Sequence, residues 1–258
     1  MPPDPTETRT LRRATAESLA VDAATVEAAG ALRSAGVDFV LLKGPALLTL
    51  LYDPGEERSY DDADLLVAED ERDPAIAALA EIGFEPRFAD PRSREVTPYE
   101  IQLVRPGRTA GSDRAELIEI HTGFDGVADP AALWRSLLGD RGSVELFGTE
   151  IEVPSVTARL ALIAIHAGAH GVAHLRSRRD VERAVERFDA AAWSAAWELA
   201  RLWSARDLFV VGTGLAGGGP ELLASLGVGH SPSTRARMRG RGMPRAQRSL
   251  EQLAATTG

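Results

Sequence analysis

The sequence predicts an α/β (α+β) fold: a short mixed sheet flanked by helices, followed by a helical C-terminal domain. Three observations predict it. Residues 37–67 read as strand, glycine turn, helix, loop, strand. Short strands with alternating apolar residues recur as far as Val153. Beyond Pro154 the apolar residues keep helical spacing and the strand pattern stops. At 258 residues the chain can form one large domain or two small ones, with a real core.

Residues 1–13 are expected to be disordered. Residues 14–34 are expected to be a helix, because Leu19, Ala23, Val26 and Gly30 recur at helical spacing and Gly36 closes it. Residues 37–42 are rich in Val, Leu and Phe, as a buried strand is. Gly44 and Pro45 end that strand and open a helix, since proline at the first helical position loses no intrahelical bond. The helix over 45–52 is almost wholly apolar and therefore buried, and Asp53-Pro54-Gly55 stops it. A second strand follows at 62–67. A helix over 73–82 places Ile76, Leu79 and Ile82 on one face and ends at Gly83. Residues 84–88 read as a strand, 90–94 as a loop, 99–105 as a half-buried strand, and 105–114 as a hairpin loop. Residues 115–124 form the next strand, 131–138 a short helix, and 144–153 a hairpin turning at Gly148-Thr149. Helices are then expected at 157–172, from 176 to about 188, and around Trp193, Trp197 and Trp203, whose spacing suits core packing. Two further helical stretches, 208–219 and 221–226, follow. The expected domains are 14–153 and 154–230, with a disordered basic tail at 231–258.

The chemistry concentrates on three strands. In a strand, Asp62 and Asp64 face the same way, about 7 Å apart. Two carboxylates on one face repel unless a cation sits between them, and oxygen ligands of that kind suit Mg²⁺ with substrate phosphates completing the shell. Lys43 is the only lysine among 29 basic residues. Its place at a strand-to-helix turn suggests that a compact ammonium is wanted there, and free N–H groups at a helix N-terminus favour phosphate. Arg58 lies four residues before Asp62. In the strand at 115–124, Leu117, Glu119 and His121 share one face. An acid in an apolar strand is costly unless it is paired or bound to metal.

Composition narrows the classes. The chain has no cysteine, which excludes disulfides, thiolate catalysis and cysteine-bound zinc, and suits a cytoplasmic location. There is no apolar run long enough for a membrane span, and the N-terminus lacks the apolar core of a signal peptide. A net charge of −9 argues against broad nucleic-acid binding by the body of the protein. The tail differs, with six arginines and one acid, so it either touches RNA or pairs with the acidic body. His166, His170 and His174 recur every four residues, which on one helix stacks them on one face. Such a stripe serves as a metal site, as buried hydrogen-bonded side chains, or as a substrate contact; the zinc-protease pattern His-Glu-x-x-His is absent.

The stretch LLKGPALLTLLYDPGEERSYDDADLLV, with Lys-Gly, an arginine and Asp-x-Asp-Leu-Leu-Val in this order, resembles a bacterial family of uncharacterised nucleotidyltransferases. That family lies in the polymerase-beta-like nucleotidyltransferase superfamily. The resemblance implies a nucleotidyltransferase fold for 14–153, with the helical domain closing one side of a cleft. It implies that Asp62, Asp64 and Glu119 are catalytic and hold Mg²⁺ or Mn²⁺. Lys43, Gly44, Arg58 and His121 would bind the nucleotide, and His166, His170, Arg176 and Asp180 would contact the second substrate. The departures are Pro45 in place of the superfamily's usual Gly or Ser, Glu119 where Asp is commoner, Ala169 between the histidines, and no Trp near Arg176. The implied reaction moves a nucleoside monophosphate from an NTP to a hydroxyl or phosphate of a small molecule or peptide. The alternatives are a toxin-like enzyme acting on transfer RNA and a non-catalytic nucleotide-binding protein.

Overall fold

A computed structural model describes residues 5–87, 99–107 and 115–242. They divide into two units, Met1–Thr122 with Arg141–Pro154, and Gly123–Asp140 with Ser155–Gly258. The expected loop at 90–94 and most of the hairpin loop at 105–114 lie outside the described residues.

The first unit is built on a five-stranded sheet. Its strands are β1 (Val40–Leu41), β2 (Ala63–Leu66), β3 (Glu85–Pro86), β4 (Glu100–Arg105) and β5 (Glu116–His121), in the spatial order β1-β2-β5-β4-β3. Only the β2–β5 pair is parallel, so the sheet is mixed, as expected. Helix α1 (Pro5–Ser34) buries Ala28, Ala29 and Leu32, and α3 (Arg72–Glu81) buries Ala75 and Leu79. These residues join Leu41, Leu65, Leu103, Ile118 and Ile120 in one apolar core. Helix α1 begins at Pro5, so residues 5–13 of the stretch expected to be disordered are helical, while residues 1–4 lie outside the described residues; proline in the first turn removes only an N–H that has no intrahelical partner. Helix α2 (Pro45–Leu51) is buried along most of its length. The hairpin β6 (Arg141–Leu146) and β7 (Thr149–Pro154) turns at Phe147-Gly148, one residue earlier than expected. Both turn residues have positive φ (48° and 75°), the backbone that lets a two-residue turn follow the strand twist. Arg33 of α1 ties this hairpin down by donating to Glu150 O and Glu152 Oε2.

The second unit is helical: α4 (Pro130–Gly139), α5 (Val156–His170), α6 (Leu175–Arg187), α7 (Ala190–Leu202), α8 (Arg206–Thr213), α9 (Gly219–Ser225) and α10 (Thr234–Gly240). Side-chain caps begin several of them, with Asp129, Ser155, Asp189 and Ser233 each accepting a backbone N–H of the first turn. Trp193 and Trp203 are fully buried, and Trp193 and Trp197 pack on Phe209. Helix α4 was expected in the strand-bearing domain and is found here instead. Trp203 Nε1 donates to Ser136 Oγ, and Ala128 N donates to Trp203 O, which anchors the segment.

The tail was expected to be disordered over 231–258; residues 243–258 lie outside the described residues, and in the described part, 231–242, α10 packs against α5 and α8. Val172 N donates to Gly240 O, Arg239 pairs with Asp125 at 3.0 Å, and Asp207 accepts from Ser233 N and pairs with His230. Gly171, at φ 71°, lets the backbone of Arg239 and Gly240 approach so closely that a Cβ there would collide with both. Arginine content suggested a solvated arm, but small residues along the backbone decide the docking.

Candidate active site

Strand pairing assembles one polar sheet face. The parallel register sets Asp64 opposite Glu119 and Leu66 opposite His121. The antiparallel register of β4 adds Gln102 opposite Glu119 and Glu100 opposite His121. Lys43 enters from the turn after β1, where Leu42 N donates to Asp64 O. Gly44 takes φ 58°, and a Cβ on it would meet the Tyr60 ring at 3.3 Å. The turn therefore needs glycine for conformation and for space.

Asp64 is the centre of this face, with 1% of its surface exposed. Its Oδ1 accepts from Lys43 Nζ at 2.5 Å and lies 3.1 Å from His121 Nε2. Burial alone would push this carboxyl up, but the Lys43 charge and the His121 contact hold it well below the usual carboxylate range. Burial likewise pulls Lys43 down, yet the charges of Asp64, Asp62 and Glu119 more than reverse that and leave it above the ordinary lysine value. His121 shows the same contest: burial lowers it, and its contacts with Asp64 and Glu119 raise it to about 9. Asp62 goes the other way, pushed up to about 7 by burial and by repulsion from Asp64 and Glu119. The two expected strand acids therefore differ in kind, one an ion and one a carboxyl that titrates near neutrality.

Two residues on β4 were missed from the sequence. Gln102 Nε2 donates to Glu119 Oε1 at 2.7 Å, and its own Oε1 accepts from Arg87 Nη1 at 3.1 Å, which fixes the amide's orientation. Glu100 sits next to it, raised above its ordinary value by burial and then by the Glu119 charge. The signal was present, since Glu100 and Gln102 alternate with apolar residues, but alternation alone does not say which strand is the neighbour.

A divalent cation fits this arrangement. Among the described residues, Asp64, Glu119 and His121 are the group whose ligand atoms all lie within 4.8 Å of one another. Asp64 Oδ2 is buried and has no hydrogen-bond partner among the described residues, so one oxygen of the group has its lone pairs unused by any donor there.

Other expected site residues fall elsewhere. The helix N-terminus at Gly44-Pro45 offers phosphate less than expected, because Ala46 N and Leu47 N turn back to Lys43 O and Gly44 O. Arg58 is buried and lines a pocket of about 280 Å³ with Thr15, Ser18, Leu48 and Tyr60; none of the three acids lines it. His166, His170, Arg176 and Asp180 belong to the helical unit. The three expected stacked histidines do gather, with ring centroids 4.3, 4.8 and 5.9 Å apart. They do so around a break and not along one helix: α5 ends at His170, and His174 caps α6 by accepting Ser177 N at Nδ1.

Residues 6–217 match the model of a family described as uncharacterised nucleotidyltransferase. A search of curated proteins finds no match. Among solved structures, the chain is similar to an antigenic nucleotidyltransferase-like protein from Paracoccidioides brasiliensis, with 14% identity over 84% of this chain and 95% of that one and a TM-score of 0.49. It is also similar to the antibiotic-resistance factor ANT(2'')-Ia, with 15% identity over 69% and 90% of the two chains and a TM-score of 0.46. JHP933 from Helicobacter pylori is similar at 14% identity over 90% and 94%, with a TM-score of 0.38. The family match spans most of the sheet-bearing unit and much of the helical one, and the chain belongs to the uncharacterised nucleotidyltransferase family.

Proposed function

We propose that this nucleotidyltransferase moves a nucleoside monophosphate from an NTP to a hydroxyl or phosphate of a small molecule or peptide. Asp62, Asp64 and Glu119 hold Mg²⁺ or Mn²⁺ in this reading. When bound, that ion neutralises phosphate charge and lowers the acceptor's pKa. The observation that carries the proposal is Asp64: a buried carboxylate held ionised by Lys43 and His121, with Oδ2 left without a partner among the described residues.

The chain's own groups divide the work. Lys43 presents an ammonium to the outer phosphates, whose charge grows as pyrophosphate leaves. His121 keeps Asp64 and Glu119 in place through Nε2, 3.1 and 3.5 Å from their oxygens. Where the acceptor is a hydroxyl, Glu119 takes its proton as that oxygen attacks the α-phosphorus; an ionised phosphate oxygen attacks with no proton to lose. One P–O bond forms to the acceptor, and the bond from the α-phosphorus to the bridging oxygen breaks, releasing pyrophosphate. No covalent enzyme intermediate is needed, because in-line displacement asks for positioning and charge. The net charge of −9 supports a small-molecule or peptide acceptor over RNA. Among the described residues no helix is long and apolar enough to cross a membrane. A cytoplasmic location belongs to the same reading, because NTP is the substrate.

The test is incubation with α-labelled NTPs, Mg²⁺ or Mn²⁺, and separate metabolite, peptide and RNA pools. Label is expected in a small molecule or peptide, with release of pyrophosphate. Label confined to RNA would overturn the acceptor class, and no transfer to any pool would overturn the proposal.

A further inference from the structure

Two kinds of cation draw on one carboxylate. Lys43 Nζ and His121 Nε2 both lie on Oδ1 of Asp64, at 2.5 and 3.1 Å, while Oδ2 of the same group is buried without a partner among the described residues. The two flanking groups are not equivalent. His121 is held in a central strand with 5% of its side chain exposed, whereas 22% of the Lys43 side chain is exposed. The backbone beneath Lys43 is constrained, because Gly44 takes φ 58° with the Tyr60 ring 3.3 Å from where a Cβ would stand. Movement there belongs to the lysine's flexible four-carbon stem. Like charges near one anion repel, so a divalent ion on Asp64 weakens the hold of the ammonium.

We propose that Lys43 is an exchangeable counter-ion, paired with Asp64 until a metal–triphosphate complex arrives and then transferred to the phosphates. This rests on the metal and NTP reading above and deepens it. His121 stays on Oδ1 throughout and keeps Asp64 oriented. A free metal, even on Oδ2, must share the charge of Asp64 with Lys43, and it gains nothing from the ammonium it repels. The metal–triphosphate complex supplies phosphate oxygens that the ammonium can pair with, so it binds with positive coupling. The site therefore selects the complex over either component.

The experiment measures two affinities in the full chain, for wild type, Lys43→Met and Lys43→Gln, with melting curves to confirm the fold. Free Mn²⁺ is titrated by electron paramagnetic resonance. Magnesium tripolyphosphate, which carries the phosphate chain without a base, is titrated by calorimetry. Both variants are expected to bind free Mn²⁺ more tightly and magnesium tripolyphosphate more weakly, each by about fivefold or more, the lower end of ordinary coupling energies. Losses in both affinities would make Lys43 a fixed part of the site and overturn the proposal, as would an unchanged Mn²⁺ affinity. A wild type that binds neither probe would instead sink the metal reading from which the proposal starts.

Discussion

In the proposed reading Asp64 has two jobs, holding the metal and pairing with Lys43 and His121, and a substitution tests both. Asn keeps the shape and removes the charge. Transfer is expected to fall by about 10²–10³-fold or more, the usual cost of losing one preorganised charge contact. Stability is expected to fall too, by about 3 kcal/mol, because Lys43 and His121 are left without their shared anion. Melting curves and Mn²⁺ titration of Asp64→Asn read the two losses independently; normal Mn²⁺ binding would remove Asp64 from the metal site. Gln102 donates to Glu119, and in the same reading it acts through that contact. Gln102→Leu is expected to weaken Mn²⁺ binding about tenfold, as removal of a ligand's supporting hydrogen bond does, and Gln102→Asn with an equal loss would show that the reach to Glu119 matters. Away from the site, burial pushes the Asp22 carboxyl up to about 6, outweighing the hydrogen bond it accepts from Tyr60. The folded state therefore holds that proton more tightly than the unfolded chain, whose value is near 3.8. This favours folding below pH 4, and the advantage is lost as the pH rises to 6. Asp22→Asn keeps an acceptor for Tyr60, so it is expected to melt above wild type at pH 7.5 and to show no such gain at pH 4.

Elements with strong local signals were legible. Pro45 fixed the start of α2, Gly83 the end of α3, and the alternation in residues 99–105 gave β4 its half-buried face. The acids of β2 and β5 were also legible, because a carboxylate in an apolar strand has few explanations. What stayed hidden depends on pairing. Gln102 and Glu100 gain meaning only when β4 is known to lie beside β5 in one register. The end of α5 near 172 and the start of α6 near 176 were legible, but the four-residue spacing of the histidines continues across the break and placed His174 as if the helix ran on. In the helical unit the close pair is α5 with α8. Gly168 and Gly212 face each other there, and a Cβ on Gly212 would collide with Ala164 O and Gly168 N. Neither glycine has positive φ, so space alone requires them. Gly212→Ala is expected to destabilise the protein by about 1–3 kcal/mol as overpacking does, whereas Gly229→Ala, with open space around it, is expected to leave the melting temperature nearly unchanged.

Chain order and spatial order disagree at the scale of the whole molecule. The segment 123–140 leaves the sheet-bearing unit to join the helical one, and the chain then returns for the β6–β7 hairpin. Sequence alone placed the boundary once, at Pro154, because a single composition shift marks it; the earlier excursion shows no such shift and is fixed by Trp203 and Ser136, far apart in sequence. The C-terminal stretch misled for the opposite reason. Its arginines outweigh its apolar residues, yet Ala236 and Gly240 are buried and the backbone of Gly240 pairs with Val172. Truncation after Gly229 therefore removes α10 together with the Asp207 contacts of His230 and Ser233 and the Arg239–Asp125 pair. Truncation after Gly242 retains all of them. The longer protein is expected to melt several degrees higher, since a loss of about 1 kcal/mol shifts a unit of this size by a few degrees. The two truncations also separate the acceptor classes. If a small molecule or peptide is the acceptor, ending the chain at Gly242 leaves the transfer rate and its salt dependence unchanged. A strong loss of transfer at that end point, largest at low salt and shrinking as salt rises, would mean that Arg245 and Arg248 guide an RNA, because the contacts removed are the ones that salt weakens in the intact chain.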